Sequence, residues 1–482
     1  MKTGINTDSG IDAFLSRSKF VMPDNLLDND TIAAIATPYG MAGIGIIRIS
    51  GPLALASAEK LFRSSRNKKI KSHQLYHGHF VDPSGDVLDE VLLSYMKGPD
   101  SYTREDIVEI NTHSGPVLLS RILEIILSQG IRLARPGEFT FRAFINGRID
   151  LLQAEAVMDL VNAKSERGII ISNRQMAGTP GKQINELREK ILSLLASVEV
   201  MIDYPEEISQ TGSMKEAADQ LENGVIKPLE EIVTSHSSRK IWVEGIDTVI
   251  VGRVNAGKSS LLNRLLNEEK AIVSSIPGTT RDLIETTIYI KGIPLKITDT
   301  AGLRQGKGEI EKIGIYLSKK KFREADIALI VVDQSRPLSD DDREILSAMD
   351  RDNSILILNK NDLPAGLDEN EFDKLAGDTP VIKISALTGE GTDSLKEKIA
   401  EKIISTNAGL ENHFVPNMRQ KTALSEALEY FRSAAANLIQ DYPMEIIAFD
   451  LKSGIEKLEE LTGKASGDDL YDKIFSQFCL GK

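Results

Sequence analysis

The chain has 482 residues, enough for roughly three domains by the usual length prior, and 41% of them are apolar. A net charge of −13 argues against wholesale, non-specific binding to nucleic acid. Cys479 is its one cysteine, so no intramolecular disulfide can form. No apolar run approaches the length of a membrane span, and the N-terminus lacks the charged-then-apolar pattern of a secretion signal. The expected location is therefore the cytoplasm, with no membrane partner.

Residues 1–28 are polar and aperiodic and read as a mobile extension. Short β-rich runs follow at Thr31–Thr37, Gly45–Ile49, Val91–Met96 and Ile107–Ile110. An apolar helical run covers Val117–Leu127. These predict a small α+β domain over residues 29–150. The densest basic stretch, KLFRSSRNKKIK at 60–71, reads as a solvated loop rather than an RNA contact. His73, His77 and His79 have no matching cluster for a metal site.

Residues 151–245 read as helical. Ile184, Leu187, Ile191, Leu194 and Val198 recur at the three- and four-residue spacing of an amphipathic helix. Over residues 246–405 strands alternate with helices, as in a doubly wound sheet. Helical runs return at Ala423–Ile439 and Glu445–Leu461, within residues 406–482. Two helical blocks thus flank the α/β domain, which reads as an insertion into one helical domain.

The α/β segment carries the chemistry. GRVNAGKS at 252–259 follows the apolar strand Thr248–Val251 and opens onto a helical run, Ser259–Leu266. That context is what a phosphate loop requires. Its glycines let backbone N–H groups crowd an anion at a helix N-terminus. Lys258 is placed to reach the β- and γ-phosphates and Ser259 to hold magnesium. Asp299, Thr300, Ala301 and Gly302 (DTAG) follow the strand Leu295–Thr298, where the magnesium-side aspartate belongs. Asn359, Lys360 and Asp362 (NKND at 359–362) follow Ile355–Leu358. A carboxylate at 362 can accept two parallel N–H bonds from guanine, a donor pair that adenine lacks. Ser385 and Ala386 follow Val381–Ile384, where a backbone N–H can meet the guanine oxygen. Thr280, within GTTRD at 278–282, is placed to close over magnesium and the γ-phosphate. Five signals in this order predict GTP binding.

Leu303 stands where many switch GTPases place a water-orienting glutamine. Glu309, Glu311, Arg281 and Arg304 remain candidates for positioning water and neutralising charge. The Asn255 amide oxygen can coordinate a cation beside the phosphates or simply brace the loop.

These motifs closely resemble those of the MnmE (TrmE) family of tRNA-modifying GTPases over residues 29–482. The likeness includes ATP at 36–38, GIGIIRISG at 43–51, SYT at 101–103, ARPGEFT at 134–140, QAEA at 153–156, NAGKSS at 255–260 and PGTTRD at 277–282. It ends with IFS at 474–476 and FCLGK at 478–482.

The resemblance implies a tetrahydrofolate-binding N-terminal domain that also dimerises the protein, a helical domain, and a Ras-like G domain inserted into it. It implies a flavoprotein partner, MnmG (GidA), in a heterotetramer or larger, with tRNA as substrate. The implied product carries an aminomethyl-type group at carbon 5 of the wobble uridine. Its one-carbon unit comes from 5-formyltetrahydrofolate or 5,10-methylenetetrahydrofolate. It further implies GTP hydrolysis driven by potassium-dependent pairing of G domains.

By motif position, Asn255, Ser274, Ile276 and Thr279 match potassium-contacting residues, and Ser259 and Thr280 match magnesium ligands. Glu311 matches the water-positioning glutamate. Ala256, Gly257, Ser260, Ser275, Pro277 and Gly278 complete the nucleotide contacts. Arg48, Glu109, Arg148 and Lys482 match folate-contacting positions, and Cys479 a suspected participant in the modification chemistry. Arg104 and Asn111–Thr112 depart from the family near the expected folate pocket. A ribosome-assembly GTPase and a regulatory switch without chemistry are the competing classes; the first would bring a basic RNA-binding domain.

Overall fold

A computed structural model describes residues 30–66, 69–204, 210–268, 285–298, 325–405, 414–464 and 467–482. The first third holds β1 (Ile32–Ile35), β2 (Ala42–Ser50), α1 (Ala54–Leu61), β3 (Phe62–Ser64), β4 (Gln74–Val81), β5 (Val87–Met96) and β6 (Ile107–Ser114). It closes with α2 (Pro116–Leu127), β7 (Arg132–Leu133) and α3 (Glu138–Ile145). Helices α4 (Leu151–Asn162), α5 (Glu166–Met176), α6 (Thr179–Asp203), α7 (Gln210–Leu221) and α8 (Lys227–Arg239) follow. Next come β8 (Ile246–Val251), α9 (Lys258–Glu268), β9 (Glu285–Ile290), β10 (Ile293–Thr298), β11 (Ile327–Asp333) and α10 (Asp340–Ala348). β12 (Ser354–Asn359), α11 (Glu369–Ala376), β13 (Val381–Lys383) and α12 (Thr392–Ser405) complete that sheet and its helices. The chain ends with α13 (Met418–Ile439), α14 (Met444–Thr462) and α15 (Asp468–Phe475).

Two compact units result. One comprises residues up to Met158, Gln175–Leu221 and Glu429–Lys482; the other comprises Asp159–Arg174 and Glu222–Leu428. The helical blocks are thus shared between the units. Local chemistry explains the share taken by the second unit. Ile241 and Trp242 pack into the core of the α/β sheet beside Ile246. The Ser165 hydroxyl donates to the Trp242 carbonyl, and Arg239 pairs with Asp159 and Glu244.

The first unit is built on a seven-stranded sheet in the order β3-β4-β5-β6-β2-β1-β7, antiparallel except for β1 against β7. Alternation along β2 sends Ile47 and Ile49 to one face and Arg48 to the other. On the first face Ile47, Ile49, Leu93, Val108 and Ile110 meet Leu119, Ile122 and Ile126 of α2. On the second, Ile32 and Ala34 meet Phe139 and Leu480, so the carboxy-terminal tail covers this face. Phe141, Tyr471, Phe475 and Phe478 anchor the tail in an aromatic cluster. The basic stretch at 60–71 differs from the expected loop. Lys60 lies in the last turn of α1, Phe62–Ser64 form the edge strand β3, and Phe62 and Ile70 are buried. Two apolar residues among the charges give the segment a core side.

In α6 the inward stripe is Ile184, Leu187, Ile191, Leu195 and Val198. Leu194, expected in that stripe, is only half-buried. The helix packs on α14 in antiparallel register, fixed by Arg188 with Glu459 (2.7 Å) and Glu199 with Lys452 (2.9 Å). A four-residue step from Ile191 keeps Leu195 on that contact line.

The second unit holds a six-stranded sheet in the order β13-β12-β11-β8-β10-β9, parallel except for the edge pair β9–β10. Val331, Ile355 and Ile357 face Leu261, Leu265, Leu395 and Ile399 on one side. Val249, Ile330 and Leu356 face Leu346 and Phe372 on the other. Both faces are helix-covered, which is why the strands are apolar throughout rather than alternating. Strand order reverses between β8 and β11, and the carboxyl ends there form the crevice where such sheets bind ligands.

Candidate functional site: a guanine-nucleotide crevice and a basic cavity

The loop between β8 and α9 carries residues 252–257 into the crevice. Asn255 adopts φ 63°, a left-handed conformation that asparagine tolerates. Gly257 has φ 103°, and a Cβ there would lie 2.0 Å from the Asn359 side-chain nitrogen. Only glycine lets the loop and β12 approach this closely. The Lys258 ammonium donates to the carbonyls of Gly252 (2.6 Å) and Arg253 (2.8 Å), lying across the loop. Ser259 and Ser260 are exposed in the first turn of α9, whose N-terminus favours anions.

Asn359, buried at the end of β12, ties the parts together. Its Nδ2 donates to the Ala256 carbonyl (2.8 Å), and its Oδ1 accepts from the Ala386 N–H (3.0 Å). One amide thereby links the phosphate loop to the segment after β13. The Ala386 N–H, within the segment expected to meet the guanine oxygen, is directed at Asn359. Asp362 is exposed, and its Oδ1 accepts from the buried Ser385 hydroxyl (2.6 Å). That bond orients the carboxylate. Lys360 (φ 69°) turns its ammonium to Asp333 Oδ2 (2.6 Å).

Arg264 of α9, Arg253 and Asp333 were not legible as site residues. Arg264 donates to the Ala386 carbonyl (3.3 Å) and to that of Leu387. Asp333 had one available signal, a carboxylate closing the apolar run IALIVVD. Ser274, Ser275, Ile276, Pro277, Gly278, Thr279, Thr280, Asp299, Thr300, Ala301, Gly302 and Glu311 lie outside the described residues, as do Arg281, Leu303, Arg304 and Glu309.

The first unit holds a cavity of about 230 Å³ lined by Arg48, Met96, Tyr102, Ile107, Glu109, Val157 and Lys482. Arg48 and Glu109 are cross-strand partners on β2 and β6, joined at 2.8 Å. The Arg48 guanidinium also donates to the Gly481 carbonyl (3.1 Å) and lies 5.6 Å from the centre of the Phe139 ring. The tail is pinned further by the Phe139 N–H on the Lys482 carbonyl (3.2 Å). Gly481 (φ 87°) passes so close to β1 that a Cβ would sit 2.4 Å from the Ile35 carbonyl oxygen. A terminal lysine that would otherwise fray is thus held at the cavity. Burial, with the nearby Arg48, pulls its amino group below the usual lysine range.

Three of the four positions matched to folate therefore line one cavity, where the Arg48 guanidinium and the Lys482 amino group stand with the Glu109 carboxylate. Arg148 stands one layer out, its guanidinium 4.8 Å from the centre of the Tyr102 ring. Arg104 (φ 61°) reaches the Asn146 carbonyl (2.9 Å), and Asn111 the Leu92 carbonyl (3.2 Å). Neither lines the cavity, so these departures from the family lie outside its wall. Cys479 is exposed, unlike the small buried hydrophobe that its residue type suggests.

Fold and crevice define the class: a doubly wound P-loop GTPase joined to an N-terminal α+β domain and helical segments. The family model for the MnmE helical domain matches residues 151–479, and that for the GTP-binding protein TrmE N-terminus matches residues 31–148. The tRNA modification GTPase MnmE of Clostridioides difficile (strain 630) is 47% identical over 464 residues, covering 94% of this chain and 99% of that protein. Its counterpart in Thermoanaerobacter pseudethanolicus is 44% identical over 458 residues, covering 94% and 99%. That of Streptococcus agalactiae serotype V is 45% identical over 461 residues, covering 94% and 98%. The chain belongs to the MnmE family of tRNA modification GTPases.

Proposed function

We propose that this chain hydrolyses GTP to drive a step in the modification of carbon 5 of the tRNA wobble uridine, acting as a homodimer with the flavoprotein MnmG. The group installed is of the carboxymethylaminomethyl or aminomethyl type, with its one-carbon unit drawn from a tetrahydrofolate. The observation that carries the reading is the Asn359 bridge. It brings the phosphate loop, NKND and Ser385–Ala386 into one crevice at the carboxyl ends of the strands.

Within that crevice the chain's own groups divide the work. Lys258 and the N-terminus of α9 supply positive charge for the phosphates. Asp362, oriented by Ser385, selects the guanine edge. Ser259 and Thr280 would hold magnesium. Asn255, Ser274, Ile276 and Thr279 would hold potassium, which supplies positive charge where an arginine finger otherwise acts. Glu311 positions the attacking water. Asn255, exposed in a left-handed conformation, carries an amide oxygen, a donor type suited to such a hard cation.

The test is steady-state GTP hydrolysis in potassium against sodium at matched ionic strength. A large potassium-specific acceleration is expected, and Glu311→Ala should keep nucleotide binding yet lose most turnover. Equal rates in the two salts would leave Asn255 a brace and defeat cation-assisted hydrolysis.

For the cavity, a reduced folate carrying a glutamyl carboxylate fits the paired cations of Arg48 and Lys482. Arg48→Ala is expected to weaken 5-formyltetrahydrofolate by about ten- to hundredfold, the loss typical of a charged hydrogen bond. Isothermal titration measures it; undiminished affinity would place the folate elsewhere. Among the described residues no helix is long and apolar enough to cross a membrane.

A further inference from the structure

We infer that Asp333 is a positioning residue that couples the guanine side of the crevice to the phosphate loop. The inference rests on the guanine-nucleotide reading of this site and adds a component that no motif contains.

Asp333 ends β11 and is 2% exposed. Its Oδ2 accepts from the Lys360 ammonium at 2.6 Å and lies 3.7 Å from the Arg253 guanidinium. Its Oδ1 accepts from the Ser335 hydroxyl (2.6 Å) and N–H (3.0 Å). A buried carboxylate therefore stands between a residue of NKND and a residue of the phosphate loop. Burial works against its charge, but Lys360 and Ser335 outweigh it and hold the carboxyl below its usual range.

Both cations are constrained at their other ends. The second guanidinium nitrogen of Arg253 is 3.4 Å from Asp342, itself buried and locked in the capping box of Ser339. Lys360 carries its ion pair from a left-handed backbone, a conformation a lysine holds only when its surroundings impose it. Next to Asp333, the Gln334 N–H donates to the Asn359 carbonyl (3.1 Å), and its side chain to Asn361 (3.0 Å). The end of β11 is thus fastened to Asn359, Lys360 and Asn361 of the NKND turn. The Asp333 carboxylate is buried while both cations are only partly so, and a charge held away from water interacts more strongly than one at a surface, so a shift on the base side changes the field at Arg253. An Asp333 serving only to end a strand would need no contact with either cation.

The experiment is a double-mutant cycle on the full chain, read by displacement of fluorescently labelled GDP. Asp333→Asn is expected to speed GDP release by about tenfold, as for a lost charged hydrogen bond. Arg253→Gln should speed it less. If Arg253 acts through Asp333, the double variant releases GDP no faster than Asp333→Asn alone. Rates that multiply, or an unchanged rate in Asp333→Asn, would overturn the coupling.

If Asp333→Asn fails to fold, Arg253→Gln decides by another readout. Its preference for GDP over IDP, which lacks the 2-amino group, should fall although Arg253 belongs to the phosphate loop. A preserved preference would mean that the two sides act independently. Failure of the unmodified protein to bind GDP would sink the guanine-nucleotide reading, and the coupling with it.

Discussion

Asp362→Asn is expected to turn the chain from GTP towards xanthosine triphosphate. The reason lies in the Ser385 hydroxyl. It donates to Asp362 Oδ1 from a buried position, so in the variant it should hold the amide oxygen and present the amide nitrogen to the base. Guanine offers N–H donors at that edge, and donor would then face donor. Xanthine carries a carbonyl in place of the 2-amino group and can accept. Sites built around such bonds reject the wrong partner by about 10⁴-fold, so GTP affinity should fall by about a thousandfold or more while xanthosine triphosphate gains. Competition binding with the two nucleotides measures the inversion. Retained preference for GTP would overturn the assignment of Asp362. Adding Ser385→Ala should blunt the inversion, because the amide would be free to flip.

Which parts of this crevice could be read from sequence follows from the reach of each interaction. The phosphate loop and NKND announce themselves because every contact is made within a few residues of a strand end. β8, β10 and β12 were legible as apolar runs next to those motifs. β11 was missed for lack of an adjacent motif, although it is the strand that pairs with both β8 and β12. Asp333, Arg253 and Arg264 act across 27, 80 and 122 positions of sequence, and no local pattern encodes such pairings.

The same limit applies in the first unit. Arg48 and Glu109 could be matched to the family, but their pairing at the cavity comes from the β2–β6 register. The placement of Lys482 comes from an aromatic anchor at Phe475 and Phe478 whose partners lie in α3 and α4. Leu194 follows Ile191 by three residues and Leu195 by four, and both spacings suit an amphipathic helix. Only the antiparallel contact with α14 distinguishes them.

Gly257→Ala is the second substitution expected to have a large effect, and it acts by a different route. The added methyl would sit 2.0 Å from Asn359 Nδ2, on a backbone with φ 103° that alanine rarely adopts. Asn359 is 2% exposed and has bonds on both ends of its amide, so it cannot swing aside without breaking both. Each bond left unmade in a buried site costs about 1–3 kcal/mol, and the backbone strain adds a cost of order 1–3 kcal/mol. The cores on either face of the sheet do not include Gly257, so the fold should survive while the crevice opens. GDP affinity is expected to fall by about a hundredfold or more, since roughly 1.4 kcal/mol is tenfold. The cavity in the other unit supplies an internal control, and its ligand affinity should be unchanged. Asn359→Ala separates the clash from the brace. It makes room for the methyl but removes both bonds, so the double variant should bind GDP no better than Asn359→Ala alone. Recovery of full affinity in the double variant would show that the crevice assembles without the Asn359 bridge.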